Sequence, residues 1–472
     1  MNENTEKNIV ANPLIVLREE FDNWAILFDP DTGNTFGLNP IGVLIWKHLD
    51  GHHTLNEITE KIREAAKDIP SDVTGHIQDF VRNAVKLGLV SHEALEDNMS
   101  LGIMKSPSSV DMEITSSCNL RCDYCSHFSG PGDVEKDLPL EAWLRFFSEL
   151  QRCAVMNVTL SGGEPLYRPD IREIIQSIVA NRLHFSILSN GTLIDRDMAA
   201  FLASTGRCNL VQVSIDGAID ITHDAFRGKG NFMKAIQGIE TLQQFNVPTT
   251  VRVTIHRKNV HELEAIAGLL LEEIKLPSFS TNSASHMGLC RKNAAQTQLT
   301  VAERSLAIET LMLLTDRYGG RINATAGPLA DGRSWLEMQE ASRNGRQRME
   351  GRGFLTGCNG PRRTLAVRAD GVIIPCLQLG HMVLGRINHD DLIDVWQNHP
   401  DLRKLRQRST IALPSFIFCQ GCAYTDYCTG NCPAMAYAIA GEVNHPSPDA
   451  CLRLFLEQGG RLPERSAHHR TE

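Results

Sequence analysis

The sequence lacks any run of 18 consecutive apolar residues, which is about the length that a membrane-spanning helix needs. Its first 13 residues are polar and lack the apolar core of a secretory signal. These two features predict a cytoplasmic protein with no membrane partner. Apolar residues make up 42% and charged residues 22% of the 472 positions, which is typical of a globular protein with about two to four domains.

Positive charge is scarce in the first 100 residues. This part has 8 Lys and Arg against 17 Asp and Glu, and its net charge of −9 equals that of the whole chain. Proteins that bind nucleic acid depend on Lys and Arg to neutralise phosphates. The composition therefore argues against a nucleic-acid partner.

Cysteine, in contrast, is abundant, with 13 residues. Because the cytoplasm keeps thiols reduced, this number predicts metal or redox chemistry and argues against a disulfide scaffold. Cys118, Cys122 and Cys125 lie within eight residues. Three thiolates at this spacing can hold three irons of a [4Fe-4S] cluster and leave the fourth iron open for chemistry. A zinc site is the alternative, with His127 as the candidate fourth ligand.

The stretch Ser-Gly-Gly-Glu-Pro at 161–165 follows a predicted strand at 155–160. Gly162 and Gly163 allow the backbone to come close to a ligand. Glu164 adds an anionic acceptor suited to an ammonium group. Taken alone, this stretch is a turn.

The CxxxCxxC spacing, with Tyr124 before its last cysteine and Gly-Gly-Glu downstream, resembles the radical S-adenosylmethionine (radical SAM) superfamily. The resemblance implies that the amine and carboxylate of S-adenosylmethionine chelate the open iron and that Tyr124 lies near the adenine. It implies that the reduced cluster cleaves this cofactor to a 5'-deoxyadenosyl radical, which abstracts hydrogen from the substrate. The three cysteines are thus the expected catalytic residues, and an electron donor such as flavodoxin or ferredoxin is an expected partner.

Strand-like and helix-like segments alternate from residue 110 to about 285, including a strand over 249–255. This alternation predicts an α/β fold, a parallel sheet with helical crossovers that is either open or closed into a barrel. The resemblance implies a partial (β/α)6 barrel.

In either arrangement, ligand sites lie at the carboxyl ends of the strands. We therefore expect the cysteines, Gly-Gly-Glu, the pair at 189–190 and the strand end at 214–216 to meet at one mouth. The resemblance also implies that Ser214 lies near the cofactor ribose and Arg227 near the cofactor carboxylate. The simpler alternatives are a strand-end turn for Ser214 and a weak surface ion pair for Arg227.

The N-terminal part contains three short strands within residues 14–38, followed by three helices that begin near 39, 54 and 71. This is a winged-helix-like α+β pattern. Its sequences Phe-Gly-Leu-Asn-Pro-Ile-Gly, Leu-Asp-Gly and Thr-Leu-Asn-Glu-Ile resemble the leader-peptide recognition elements of ribosomal peptide maturation, or RiPP recognition elements. The resemblance implies that the leader segment of a precursor peptide adds to an edge strand near Trp24 to Phe28. An inert folding module is the alternative.

The C-terminal part contains a second group of cysteines. A zinc ribbon would account for the central four, but it would leave the outlying three without a purpose. The pattern resembles, at all seven positions, the SPASM extension of peptide-modifying radical enzymes. The seven positions are Cys358, Cys376, Cys419, Cys422, Cys428, Cys432 and Cys451.

That resemblance implies two auxiliary Fe-S clusters. One set comprises the cysteines at 419, 422, 428 and 451, and the other those at 358, 376 and 432. Some relatives have an eighth cysteine shortly after the first, but residues 359–364 contain none. The cluster at 358, 376 and 432 is therefore expected to have an open iron, a non-cysteine ligand or fewer irons.

The predicted organisation has six parts. No chemistry is recognised in the helical bridging segment, and Cys153, Cys208 and Cys290 are expected to be unligated because each is alone in its neighbourhood. The parts are a leader-peptide recognition domain (1–95), a linker (96–109), a radical SAM partial barrel (110–285), the bridging segment (286–357), a SPASM domain (358–455) and a polar tail (456–472).

These observations predict a radical SAM enzyme that modifies a ribosomally made precursor peptide. Thioether or carbon–carbon cross-linking is favoured over epimerisation, because an auxiliary cluster can accept the further electron that a cross-link releases. Three alternatives stay open. They are a maturase of a protein substrate of the sulfatase or quinone-cofactor type, a zinc-binding winged-helix regulator, and a carrier of leader peptides.

Overall fold

The computed structural model describes residues 9–12, 15–19, 21–29, 34–51, 53–65, 72–91, 106–127, 136–153, 155–349, 351–358 and 360–463. The chain divides into two compact units, Met1–Ser108 and Ser109–Glu472. Most of the predicted linker and the end of the predicted tail lie outside the described residues. No helix in these described ranges is both long and apolar enough to cross a bilayer.

In its described residues, the first unit contains five short strands and three α-helices. They are β1 (Val10–Ala11), β2 (Val16–Glu19), β3 (Ala25–Phe28), β4 (Thr35–Leu38), α1 (Pro40–Lys47), α2 (Leu55–Ala65), α3 (Val73–Lys86) and β5 (Val90–Ser91).

Strands β2, β3 and β4 form an antiparallel sheet in that order. Leu27 of β3 pairs with Leu17 of β2 on one side and with Phe36 of β4 on the other. The prediction of an edge strand near Trp24 to Phe28 is therefore wrong. Consecutive strands pair with their sequence neighbours, so the second of three lies in the middle, and β2 and β4 form the edges.

The helices of this unit begin where their capping residues predict. The side chain of Asn39 accepts a hydrogen bond from the Gly42 amide at 2.8 Å, and Pro40 occupies the first turn of α1. At α2, Thr54 and Glu57 each accept a hydrogen bond from the other's amide, at 3.2 and 2.8 Å, which is a capping box. The apolar faces of the three helices and the sheet share one buried core.

The second unit contains ten strands and fifteen helices within the described residues. Its strands are β6 (Ser109–Thr115), β7 (Asn157–Gly162), β8 (His184–Ser189), β9 (Cys208–Ser214), β10 (Thr249–Ile255), β11 (Phe279–Ser283), β12 (Ile322–Ala324), β13 (Thr364–Val367), β14 (Val372–Ile374) and β15 (Gly385–Arg386).

The helices up to the C-terminal region alternate with these strands. They are α4 (Leu140–Arg152), α5 (Ile171–Ala180), α6 (Arg196–Ser204), α7 (Asp220–Arg227), α8 (Asn231–Gln244), α9 (Leu263–Gly268), α10 (Gly288–Lys292), α11 (Ala294–Thr297), α12 (Val301–Arg317) and α13 (Pro328–Arg343). The C-terminal helices are α14 (Gly360–Arg363), α15 (Leu392–Asn398), α16 (Pro400–Gln407), α17 (Pro433–Ala440) and α18 (Leu452–Glu457).

All ten strands form one sheet, in the order β12-β11-β10-β9-β8-β7-β6-β13-β14-β15. Strands β6 to β12 pair in parallel, which confirms the predicted α/β class with helical crossovers. Strands β6 to β11 correspond to the six expected strand–helix units. The predicted helical bridging segment also contributes β12 to one edge of the sheet, and the cysteine-rich region contributes β13 to β15 to the other.

Apolar side chains hold this sheet under its helices. Val110, Met112 and Ile114 of β6 are fully buried, as a strand covered by helices requires. Trp143 and Phe147 of α4, four positions apart, are both 0% exposed and pack against each other. Burial of each such side chain contributes about 1.5–3 kcal/mol to the stability of the folded state. The sheet whose strand ends carry the candidate site is therefore held firmly in place.

Candidate functional site

A cavity of about 570 Å³ lies at the carboxyl ends of the parallel strands in the second unit. The strand ends that the sequence predicts to meet do line it together. The predicted site residues on its wall are Cys118, Cys122, Tyr124, Cys125, Gly162, Gly163, Glu164, Ser189, Asn190, Ser214 and Arg227.

The two glycines of the Gly-Gly-Glu stretch bring two backbone segments together. A Cβ at Gly162, whose φ is +128°, would lie 2.1 Å from the Thr115 carbonyl oxygen, and one at Gly163 would lie 2.0 Å from that of Ser117. Only glycine fits at either position. The end of β7 therefore packs directly against the segment that leads into Cys118, with the Gly163 amide donating to the Thr115 carbonyl at 2.9 Å.

Glu164 is 1% exposed and connects the ends of β7 and β8. Its Oε1 accepts from the Ser189 hydroxyl at 2.8 Å and from the Leu166 amide at 3.2 Å, and its Oε2 accepts from the Asn190 amide at 2.7 Å. Burial raises the pKa of Glu164 to about 7, although these donors act in the opposite direction. The carboxylate also lines the cavity. Its role as an acceptor for an ammonium group stays a prediction.

Asp216, two residues after β9, is 0% exposed and connects three parts of the site. Its carboxylate accepts from the Tyr124 hydroxyl, from Arg227 Nε at 2.5 Å and from the Thr254 amide at 2.7 Å. The Arg227 guanidinium also lies 5.4 Å from the centre of the Tyr124 ring. Burial alone would raise the pKa of Asp216, but the charge of Arg227 is the main factor that holds it below its ordinary value.

Arg227 is 7% exposed, so its simpler interpretation as a surface ion pair is wrong. It ends α7, a helix that the sequence analysis did not predict, and this helix carries the guanidinium into the interior. Asp216 was recognised only as part of a strand end. Its two partners lie 92 residues before it and 11 residues after it, so local pattern did not reveal the buried pair.

Two histidines that the sequence analysis missed pack beside this pair. Burial lowers the pKa of both His223 and His256 to about 4, so both imidazoles are neutral near pH 7. His223 Nδ1 accepts from the Asp216 amide at 3.2 Å, and the His256 ring lies 4.0 Å from that of Phe226. Because both are neutral, Arg227 is the charged partner of the Asp216 carboxylate.

The thiols of Cys118, Cys122 and Cys125 form one electrostatic group at the cavity. Burial raises the pKa of Cys118 to about 11 and that of Cys122 to about 12, and the neighbouring thiolates add to both shifts. Such thiols need a bound cation to lose their protons near neutral pH. His127, the candidate zinc ligand, also lines the cavity, and its Nδ1 lies 3.1 Å from Glu113 Oε1.

The C-terminal cysteines fall into two groups. Beyond the effect of burial, the thiolates of Cys358 and Cys432 raise the pKa of Cys376, and Cys432 lines the large cavity. The other four thiols surround a second, smaller and largely apolar cavity, and they are Cys419, Cys422, Cys428 and Cys451. Burial first, and then the neighbouring thiolates, raise the pKa values of Cys419, Cys428 and Cys451.

The structure thus brings together the same sets of thiols that the sequence resemblance implies, whereas their ligation of clusters stays a prediction. Within the described ranges, no three His, Cys, Asp or Glu residues lie close enough to hold a single metal ion. Cys290 is buried, and its thiol contacts the Thr297 hydroxyl at 3.4 Å. The expectation that it is alone in its neighbourhood is wrong, because it packs with Tyr124 and its pKa is raised by burial and by the nearby Cys125 thiolate.

The bridging segment also forms part of the cavity wall, which the sequence analysis did not predict. Asp331 and Ser334 of α13 line the cavity. Arg304 of α12 donates to Asp331 Oδ2 at 2.5 Å and to the Asp449 carbonyl at 2.6 Å. Burial raises the pKa of Asp331, despite its contact with Arg304. A wall that was expected to be inert therefore carries a carboxyl group at the cavity.

The residues present fit an iron–sulfur cluster and a polar organic cofactor. Thiolates are the ligands that such clusters use, and the glycines open the wall beside them. Three polar atoms on the wall, Asn282 Oδ1, Ser285 Oγ and Ser447 Oγ, have no hydrogen-bond partner within the part of the chain that the structure describes. Buried polar groups of this kind need a partner, which a polar ligand would supply.

Three parts of the chain match known families. Residues 112–270 match the Radical SAM superfamily, residues 25–90 match Coenzyme PQQ synthesis protein D (PqqD), and residues 358–432 match the Iron-sulfur cluster-binding domain, SPASM. The fold, the site and these matches define a radical SAM enzyme that carries a Radical SAM domain. In the sequence, this domain lies between a PqqD-like N-terminal domain and a C-terminal SPASM domain.

Similar proteins cover most of the chain. A PqqA peptide cyclase of Bradyrhizobium diazoefficiens is 24% identical over 77% of this chain and 91% of its own length. An AdoMet-dependent heme synthase of Methanosarcina barkeri is 27% identical over 75% of this chain and 99% of its own. Streptococcus suis SuiB, bound to the precursor peptide SuiA, has the same fold, with a TM-score of 0.58, 15% identity and coverage of 94% and 99%.

Proposed function

We propose that this radical SAM enzyme modifies a ribosomally made precursor peptide and that the modification is an oxidative cross-link, either a thioether or a carbon–carbon bond. One observation carries the proposal. A single cavity is bordered both by the first three cysteines and by Cys432 of the C-terminal group. The PqqD-like domain supports a peptide substrate over a small molecule, since a heme synthase is also similar to this chain but over only 75% of it.

We propose that Cys118, Cys122 and Cys125 hold the [4Fe-4S] cluster at this cavity. With S-adenosylmethionine bound, this cluster would supply reductive cleavage of S-adenosylmethionine and, through it, hydrogen abstraction from the peptide. The chain's own residues would bind and orient the cofactor there. They are Tyr124, Gly162, Gly163, Glu164, Ser214 and Arg227.

The buried pair of Arg227 and Asp216 fixes the orientation of Tyr124 through its hydroxyl group. Because Arg227 also lines the cavity, its remaining N–H groups can meet a carboxylate there. Glu164 holds the ends of β7 and β8 in register, so the glycines before it keep their positions. These residues pre-organise the site before a ligand arrives.

The opposite wall is suited to the peptide. It is formed by small and polar residues near the carboxyl ends of β11 and β12, followed by Asp331 and Ser334. Such a wall leaves space for a peptide side chain and offers hydrogen-bond partners to its backbone. Asp331 and Asp449, which both contact Arg304, are carboxyl groups on the cavity wall that could contact it.

Cross-linking removes two hydrogens from the peptide. One leaves by abstraction from a carbon, and when the new bond forms to sulfur or to a second carbon, a proton and one further electron must leave. We propose that the group of Cys358, Cys376 and Cys432 holds the auxiliary cluster that accepts this electron, because Cys432 borders the cavity. The cysteines at 419, 422, 428 and 451 would hold a second auxiliary cluster on the smaller cavity.

Leader recognition is proposed at the first unit. The edges of its three-stranded sheet are β2 and β4, and within the described residues neither edge pairs with a further strand. Gly37 on β4 is exposed, and a Cβ there would meet nothing within 4 Å. An extended leader segment could add to this edge through backbone hydrogen bonds.

The first test is cleavage of S-adenosylmethionine by anaerobically reconstituted protein with dithionite as reductant. Replacing Cys118, Cys122 and Cys125 with serine should abolish release of 5'-deoxyadenosine. Cys208→Ser is the matched control, because Cys208 begins β9 at the opposite end of the strand from the cavity. Unchanged release from the triple variant would overturn the assignment of the first cluster.

The second test is the mass of a precursor peptide co-expressed with the enzyme, with candidates taken from the short reading frames that neighbour the gene. A cross-link lowers the mass by two hydrogens, and fragmentation then locates the two joined residues. An unchanged mass with inverted stereocentres would replace cross-linking with epimerisation. Modification of a folded protein in place of a peptide would favour a protein maturase.

A further inference from the structure

Four arginines are buried among the residues that the structure describes: Arg168, Arg227, Arg406 and Arg408. The first three donate hydrogen bonds to carboxylate or carbonyl oxygens. Arg408 is different. It is 3% exposed, and within the described residues neither its Nη1 nor its Nη2 has a hydrogen-bond partner. A buried cation without an acceptor is strongly unfavourable, so the position implies a negatively charged group that faces it.

The backbone around Arg408 is fixed on both sides. It begins a short 3-10 turn after α16. Arg406 Nε donates to the Pro361 carbonyl at 2.8 Å, and Arg362 Nη2 donates to the Ser409 hydroxyl at 2.9 Å. These contacts hold Arg408 beside residues 360–364, which belong to the stretch in which some relatives have an eighth cysteine and this chain has none.

Two thiols of the same cysteine group interact with this guanidinium. Burial lowers the pKa of Arg408, and the thiolates of Cys358 and Cys432 oppose that shift. Geometry places the same cysteine group beside this segment. Leu405, three residues before Arg408, packs in one apolar cluster with Cys376 and Cys432. The cysteine group is therefore positioned to supply the negative charge that faces Arg408.

We propose that Arg408 is a positioning residue for the auxiliary cluster held by Cys358, Cys376 and Cys432. Its Nη groups donate to the sulfur atoms of that cluster on the side where no cysteine ligates it, and its positive charge makes the cluster easier to reduce. The inference rests on the proposed function, which assigns these cysteines to a cluster. When the peptide radical gives up its electron, the cluster gains one negative charge beside a fixed guanidinium.

The test is an anaerobic redox titration followed by electron paramagnetic resonance on the reconstituted full chain. All proteins carry serine at 118, 122 and 125, so that only the auxiliary clusters contribute signals. Cys376→Ser identifies the signal of the cluster concerned. Arg408→Gln removes the charge, Arg408→Lys keeps the charge but not the planar group, and Arg403→Gln is an exposed control with the same change in net charge.

We expect Arg408→Gln to shift the signal that Cys376→Ser removes to a lower midpoint potential, while the other auxiliary signal and Arg403→Gln stay at the wild-type values. Arg408→Lys should retain most of the potential but lose iron and sulfide to a chelator faster than wild type, a readout that holds if Arg408→Gln does not fold. The proposal for Arg408 would be overturned if Arg408→Gln and Arg403→Gln had equal midpoint potentials, or if Arg408→Lys lost iron and sulfide at the wild-type rate. Either result would leave the assignment of the cysteine ligands intact. If Cys376→Ser removes no signal, the ligation proposal fails with it.

Discussion

Asp216 joins more parts of the cavity wall than any of its neighbours, since Tyr124, Arg227 and the β10 backbone all donate to its carboxylate. We predict that Asp216→Asn lowers the free energy of unfolding by about 3–5 kcal/mol, because it leaves the Arg227 charge buried without its counter-ion. Denaturant unfolding measures this loss. Cofactor affinity should also fall, because the orientation of Tyr124 depends on the same carboxylate.

Asp220→Asn is the matched control for that change. Asp220 is exposed in the first turn of α7, so its loss should cost no more than about 1 kcal/mol. If the two variants unfold alike, the buried pair does not contribute as described.

Glu164 gives a prediction about pH. Burial raises its pKa from 4.5 to about 7, so between these values the folded protein holds a proton that the unfolded chain releases. The contribution of Glu164 to stability therefore falls as pH rises through this window. As pH rises from 5.5 to 7.5, the wild type should lose about 2 kcal/mol of unfolding free energy relative to Glu164→Gln. A difference that does not change with pH would contradict the raised pKa.

At the scale of residues, the sequence was sufficient to place at the cavity those side chains that belong to a motif with fixed spacing. Cys118, Gly162 and Glu164 could be placed at the cavity because their types and intervals match a known chemistry. Asp331 could not, because it reaches the cavity through a tertiary arrangement that no local spacing encodes. The same holds for His256, which packs beside Tyr124 and Phe226. Arg408 could not be singled out from the sequence either, because its role is inferred from buried Nη groups that have no hydrogen-bond partner within the described residues.

Strand β4 carries a prediction at the scale of elements. If the leader segment adds to this edge, hydrogen–deuterium exchange of the β4 amides should slow when a synthetic leader peptide is added, because they gain backbone hydrogen bonds. The amides of α2 serve as the internal control and should not change. Protection of β2 instead would move the site to the other edge, and protection of neither would exclude strand addition.

The prediction of helices and strands was accurate where the periodic pattern of apolar residues is long. Strand β10 has the predicted limits. Helix α4 buries the apolar residues that recur at helical spacing in its sequence. The three-residue β12 and the eight-residue α7 were missed because short segments carry little periodicity and depend on the sheet or the ion pair that they join. The order of β2, β3 and β4 followed from connectivity, and the interpretation of β3 as an edge strand overlooked it.

At the scale of the whole molecule, the cysteine-rich region is not a separate attachment to the barrel. Its strand β13 pairs in parallel with β6, the strand that leads into Cys118. One sheet therefore supports both the first cysteine group and the segment from Cys358 to β14. Sequence comparison divides these parts into domains, but the backbone hydrogen bonds between them fix the distance over which an electron would pass.

The division into two units gives the last prediction. The first unit has its own core, so removing residues 1–108 should leave the second unit folded and able to cleave S-adenosylmethionine at the wild-type rate. Modification of the precursor peptide should instead require about 100-fold more peptide, because a fused recognition domain raises the effective concentration of the segment next to the leader. The maximal rate at saturating peptide should change little. Steady-state kinetics separate the two effects. An unchanged KM for the precursor peptide would show that the first unit does not recognise the leader. A loss of S-adenosylmethionine cleavage would show that the second unit needs the first to be active.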